Sequence, residues 1–313
     1  VSAFMPSQLD SGGLSCEEVL RIYHRTGKHG APSVLRSRLV RARAQLSHAT
    51  PVRTFLDIAL DQHDGTFDYN SYLALDLLPL PSATDDAADA RLRHDRLVAA
   101  LVRDTLVFEA EAAEGATLVL PEHRPPPSVM LKRLRHGNSR LLTLSRRLEL
   151  SAAEQWALRF SVVPVGRAHD EYLLIRMLQA FETSLALIAV ELTAAGEAFR
   201  RGAPAGAARH IEVAESTLGA TAPLFALLST ARAESFQDFH QYAEGASAGQ
   251  SRHGRLVASL CRSAGSFGAA PRLRGFRMAW ARWQSHYWHV LRGLGYPLGR
   301  PYGEKPAVPV ARP

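Results

Sequence analysis

Cysteine is almost missing from this chain of 313 residues. Cys16 and Cys261 are the only two, which excludes a disulfide-built scaffold and makes a reducing cytoplasm the expected setting. Long apolar runs are missing as well. The most apolar helix candidate, Tyr172 to Leu192, is interrupted by Arg176, Gln179, Glu182 and Glu191. It is expected to be a buried helix, not a membrane span, and no membrane partner is expected. The stretch Val1-Ser-Ala-Phe-Met-Pro lacks a charged segment followed by an apolar run, so no signal peptide is expected. There are no internal repeats and no sustained heptads, which excludes solenoids and coiled coils.

What is present points to a large folded unit. A chain of this length with 46% hydrophobic and 21% charged residues can bury a sizeable core. The net charge of +7 raises nucleic acid as a partner. Its carriers, nearly all arginine, are spread along the chain, denser at 36–43, 133–147 and 272–282. Aromatic residues are not interleaved with them and no nucleic-acid motif occurs. Solvated helix faces, with a few arginines kept for an anionic ligand, are the expectation, and no nucleic acid is expected.

The elements read as mainly helical. Ser15-Cys-Glu-Glu18 is a capping box that predicts a helix to about 23. Helices are expected from Ser33 to about His48, from Pro51 to about Gln62, over 67–78, and over 91–111. Between about 112 and 165 a small β insertion is expected, with candidate strands at 116–120 and 160–165. Pro125–Pro127 cannot lie inside a helix, and two short elements are expected on either side of a His136-Gly-Asn turn. A second capping box stands at Ser151–Glu154. A long buried helix runs from His169 to about Phe199, followed by helical stretches at 208–218 and 223–229 and from Ser235. A small-residue loop spans 245–251.

The C-terminal stretch Trp280 to Gly295 carries Trp280, Trp283, Tyr287, Trp288 and two histidines. It predicts one aromatic helix stopped by Gly295, with His286 and His289 on one face. Such a wall suits a flat planar cofactor, and its imidazole suits heme iron; an ordinary aromatic core helix is the plainer alternative.

Four separated segments carry a family resemblance. Tyr69-Asn-Ser-Tyr72-Leu-Ala-Leu-Asp76-Leu-Leu is similar to Y-x-x-Y-L-x-L-D-x-L-L. His169-Asp-Glu171-Tyr-Leu-Leu-Ile with Gln179, Glu182 and Glu191-Leu192 is similar to H-D-E-x-L-F-I…H-Q…E-L. Asp238-Phe239, Tyr242, Ser247, Gln250-Ser251 and Arg255 are similar to D-F-x-x-F-R-x-Y-L-x-x-x-S-G-x-Q-S-x-x-x-R. His286, Val290, Arg292, Leu294 and Gly295 are similar to H-x-x-x-V-x-R-x-I-G. Together, over about a third of the chain, they resemble the tryptophan 2,3-dioxygenase superfamily of histidine-ligated heme enzymes.

That resemblance implies one heme-binding helical bundle over 1–313, with an inserted segment at about 83–165. It implies His286 as the iron ligand, with His289 as fallback. Ser247, Gln250 and Ser251 would lie over heme b, with Trp283 of the aromatic helix against it, and Tyr69, Tyr72 and Arg255 would face the substrate. The departures matter. Leu178 stands where the dioxygenases have a distal histidine, and His240 where they have the arginine for the substrate carboxylate. The pattern is thus closer to the branch with bacterial heme-dependent tyrosine hydroxylases of natural-product pathways. L-tyrosine would be hydroxylated with peroxide or dioxygen, and a homo-oligomer is expected. A sister type attaches its heme through a cysteine where this chain has Val290, so the heme is expected to be non-covalent. The distal base would have to come from elsewhere: His94 is the first candidate, with His240, His123 and His136 behind it. Arg255 and the arginines of 133–140 compete for the carboxylate. An indole or tryptophan dioxygenase, or a non-catalytic heme-binding module, are the alternatives.

Overall fold

The computed structural model describes residues 9, 13–47, 50–143, 149–243, 245–262 and 271–296, the side chains of 140, 142, 143, 240 and 271 excepted. Its helices are α1 (Cys16–Thr26), α2 (Ser33–Ala44), α3 (Pro51–Asp64), α4 (Tyr69–Tyr72), α5 (Ala87–Ala113), α6 (Pro127–Thr143), α7 (Ala152–Phe160), α8 (His169–Arg200), α9 (Pro204–Gly219), α10 (Ala222–Leu228), α11 (Ala233–His240), α12 (Arg252–Arg262) and α13 (Pro271–Gly293). The expected mainly helical class is what the structure has.

α8 is the axis. Every residue from His169 to Leu192 is buried, because α5, α9, α10, α11 and α12 all pack against it. It is long and apolar enough to cross a membrane, yet its whole apolar window is covered by protein. Its polar residues are therefore committed to partners, as buried groups must be. α13 closes the bundle against α9 and α10, burying the seam Leu273, Phe276, Trp280, Trp283, Tyr287, Leu291 and Leu294 at helical spacing. α1–α3 build a second core around Tyr23, Leu39, Phe55 and Leu56, joined by Ala74, Leu77, Phe160 and Val163.

The capping signals hold. Ser15 accepts from the Glu18 N–H, and at α7 the Ser151 hydroxyl and Glu154 carboxylate exchange both bonds of the box.

Three expectations fail for physical reasons. No strand occurs among the described residues, only an isolated parallel bridge between Glu122 and Ala168. The segments 116–120 and 160–165 bind other partners instead. Leu120, at φ 45°, donates to the His24 carbonyl, while the Pro164 and Val165 carbonyls accept from the Lys28 and His29 N–H groups. The expected helix over 67–78 is a single turn, because Ala74 takes φ 47° and the chain turns back on itself. α6, by contrast, runs straight through His136-Gly-Asn. Gly137 is there for closeness: a Cβ would stand 2.4 Å from Cδ2 of Leu106 on α5. Gly137→Ala is expected to cost about 1–3 kcal/mol by overpacking, read by urea unfolding, with Leu106→Ala recovering part of it. An unchanged midpoint would contradict this contact.

Candidate functional site

α13 presents its histidines outward. His286 and His289 are both exposed and lie off the buried seam. His286 stands edge-on to Phe225, with ring centroids 4.5 Å apart at 70°. Both side chains line a cleft of about 340 Å³ between α9–α10 and α13, with Glu215, Leu218, Thr221, Ala279, Arg282 and Trp283. Trp283 is held there by its indole N–H, which donates to the Thr221 hydroxyl at 2.8 Å, and by stacking on Trp280 and Tyr287. His286 makes no hydrogen bond and Arg282 no ion pair among the described residues. Leu178 is elsewhere: it is fully buried in α8 and does not line this cleft.

Inside the bundle, one turn of chain and three helices gather a polar cluster. The Tyr69 hydroxyl donates to Glu182 Oε1 at 3.1 Å and lies 3.5 Å from the Tyr287 hydroxyl. The other oxygen of Glu182 meets Nδ1 of His253 at 3.0 Å. Gln250 accepts from the Tyr69 N–H, which ties the 245–251 loop to α4. Nearby, the Tyr72 hydroxyl donates to Glu171, whose two oxygens also receive the Val165 and Gly166 N–H groups.

Burial raises the Glu171 carboxyl to about 7, against the lowering by the two N–H donors and Lys28. The Tyr72 and Tyr296 hydroxyls are also raised well above the usual phenol range, first by burial and then by neighbouring charge, that of Glu171 included. Between the ordinary carboxyl value of 4.5 and about 7, Glu171 keeps a proton in the folded chain that the unfolded chain has released. Stability is therefore expected to fall as pH rises through that window, by as much as about 3 kcal/mol. Urea unfolding at a series of pH values reads this slope, and Glu171→Gln should flatten it. A wild-type curve level between those two pH values would contradict the shift.

The remaining expected residues divide plainly. Tyr69 and Gln250 meet in the buried cluster, and Trp283 and His286 share the cleft. Ser247 caps its own loop, accepting from the Gly249 N–H, and Ser251 caps α12, accepting from the Gly254 N–H. Arg255 is exposed on α12. Arg133 is consumed by Glu109 and Asp170 and is not free for a ligand carboxylate. His94 is buried between α5 and α8, 2.8 Å from Asp95 and 3.3 Å from the Ser184 hydroxyl, and it joins neither the cleft nor the tyrosine cluster. His123 pairs with Asp238. The side chain of His240 lies outside the described residues.

Sequence reasoning passed over His253 and gave Glu182 no role. The signal for both was a histidine two residues after Gln250-Ser251 and a carboxylate inside the most buried helix. A cleft of about 670 Å³ between α1 and the 116–119 segment holds none of the expected site residues. No family model, curated protein or solved structure matches the chain.

Proposed function

We propose that the chain binds heme b without a covalent bond, His286 serving as the iron ligand, and that it hydroxylates the ring of L-tyrosine to 3,4-dihydroxyphenylalanine. The observation that carries the heme part is the setting of His286: an exposed imidazole in the wall of a cleft with aromatic and aliphatic sides. The residues fit such a group. Phe225, Trp283, Leu218 and Ala279 offer the apolar contact that a flat macrocycle needs. Arg282, at the same cleft and without an ion pair among the described residues, suits a propionate.

When bound, heme would supply oxidant chemistry at iron with peroxide or dioxygen. The chain's own residues would do the rest. Phe225 fixes the ring angle of His286 by its edge contact. Trp283, anchored on Thr221, would supply an apolar contact to the group. Glu215 is the carboxylate lining the cleft, so proton handling at this face falls to it, while His94 lies off the cleft. The tyrosine specificity rests on the four-segment resemblance, as does a place in natural-product biosynthesis.

Purified protein titrated with hemin is expected to develop a Soret band that shifts on addition of L-tyrosine. Acid–organic extraction should release all of the heme. With peroxide, 3,4-dihydroxyphenylalanine should appear by chromatography. No Soret band would overturn the reading, and a band without any product would leave a heme-binding module. N-formylkynurenine from tryptophan would select the dioxygenase alternative.

A further inference from the structure

Several elements meet around the cleft of about 670 Å³ beside α1. Arg21, His24 and Arg25 come from α1, and Leu118 and Val119 from the loop after α5. Leu158 and Arg159 come from α7, while Asp104 of α5 and Tyr172 of α8 complete the lining. The walls are tied together. The Leu120 N–H donates to the His24 carbonyl, and Nε2 of His24 lies 2.9 Å from the Val162 carbonyl.

The charges around this cleft do not balance. The two carboxylates that line it each have a cation already: Glu17 is 2.6 Å from Arg159, and Asp104 is 2.7 Å from Arg176. Arg21 and Arg25 are left over. Both are exposed, and neither makes an ion pair or a side-chain hydrogen bond among the described residues. Four positions apart on one helix, they share a face, with about 5–6 Å between their Cβ atoms. Two guanidiniums so placed can close on one dianion, and a phosphate monoester carries roughly −1.5 to −2 at neutral pH.

Other groups of the lining are acceptors. The Val162 carbonyl can only accept, so His24 carries its hydrogen on Nε2 and a lone pair on Nδ1. Burial, the main cause, lowers this imidazole to about 4, so the ring is neutral at physiological pH. Asp104 takes both the Tyr172 hydroxyl and Arg176 on Oδ2, and Oδ1 receives no bond among the described residues. Such a carboxylate oxygen suits the hydroxyls of a ribose. Leu118, 66% exposed, adds apolar surface beside Val119 and Leu158.

We propose that this cleft binds a nucleoside monophosphate, with the phosphate on Arg21 and Arg25, the ribose hydroxyls on Asp104 and the base against Leu118. Free phosphate would leave the acceptors and the apolar wall unused, and a bare nucleoside would leave the two arginines unpaired. The volume is that of a small-molecule site. It shares no residue with the His286 cleft, so it stands apart from the heme reading and is tested without hemin.

The probe is adenosine 5′-monophosphate, titrated calorimetrically into the full chain purified without hemin. One saturable equivalent is expected. Arg21→Gln combined with Arg25→Gln should weaken binding at least about tenfold, the effect of losing one charge-assisted hydrogen bond. Both positions are exposed, and unchanged far-ultraviolet circular dichroism checks that the variant is folded. The Asp104 contact is read on the ligand, because removing that carboxylate would strand the buried Arg176. Adenosine, 2′,3′-dideoxyadenosine 5′-monophosphate and ribose 5-phosphate each lack one of the three contacts, and each should bind more weakly than the probe. Absence of saturable binding overturns the proposal, as does an affinity kept in the double variant. Equal affinity for any one of the three analogues also overturns it, since the contact which that analogue lacks is then not made.

Discussion

His286→Ala is expected to weaken hemin binding by more than about 100-fold, because losing even an outer-shell partner of a metal ligand costs about 10–100-fold. The measurement is a hemin titration followed at the Soret band. His289→Ala is the control. Both imidazoles are exposed on α13, but His286 alone of the two lines the cleft with Phe225 and Trp283. His289→Ala should therefore titrate like the parent chain. If His289→Ala loses the band and His286→Ala keeps it, the iron ligand has been assigned to the wrong histidine. Phe225→Ala adds a graded case: the imidazole loses its edge contact, so the band should survive with a weaker affinity.

The largest effect on stability is expected at Arg133. Its side chain has no exposure, and neither have those of Glu109 and Asp170, which it bonds at 2.8 and 2.7 Å. It also donates to the Thr230 hydroxyl and carbonyl. This one guanidinium ties α5, α6 and α8 to the residues after α10. Arg133→Met would leave two buried carboxylates facing each other without a cation, and breaking a buried pair in this way costs about 3–5 kcal/mol. Guanidinium unfolding of the variant should show that loss. Adding Glu109→Gln and Asp170→Asn to Arg133→Met should recover part of it, because the uncompensated charges are then gone. A single variant within about 1 kcal/mol of the parent would show that the triad contributes little beyond what apolar packing would.

The two predictions separate the parts of the molecule that were legible from its letters. Local rules fixed much of the helical framework. Ser15 and Ser151 marked helix starts through side-chain bonds that span three residues, and an apolar run broken by Arg176, Glu182 and Glu191 marked the buried axis. The stop at Gly295, which takes φ 76°, is local in the same way. Where a rule depends on a few neighbours along the chain, the sequence holds all of its terms.

Tertiary packing decided the rest. Gly137 looked like a turn and is a point of close helix contact, since the Leu106 side chain that requires it comes from another helix. Candidate strands at 116–120 and 160–165 had the right composition but found carbonyls and N–H groups in α1 and its neighbours rather than each other. The outward direction of His286 depends on which stripe of α13 meets α9 and α10. His94 could be named from its residue type, yet whether it shares a chamber with His286 depends on α5 packing on α8 while α13 packs on α9 and α10. His253 became visible only when Glu182, 71 positions earlier, was brought to its Nδ1. A periodicity records which face of a helix is apolar; it contains no term for the partner that will cover that face, and the chemistry of this protein is set by those partners.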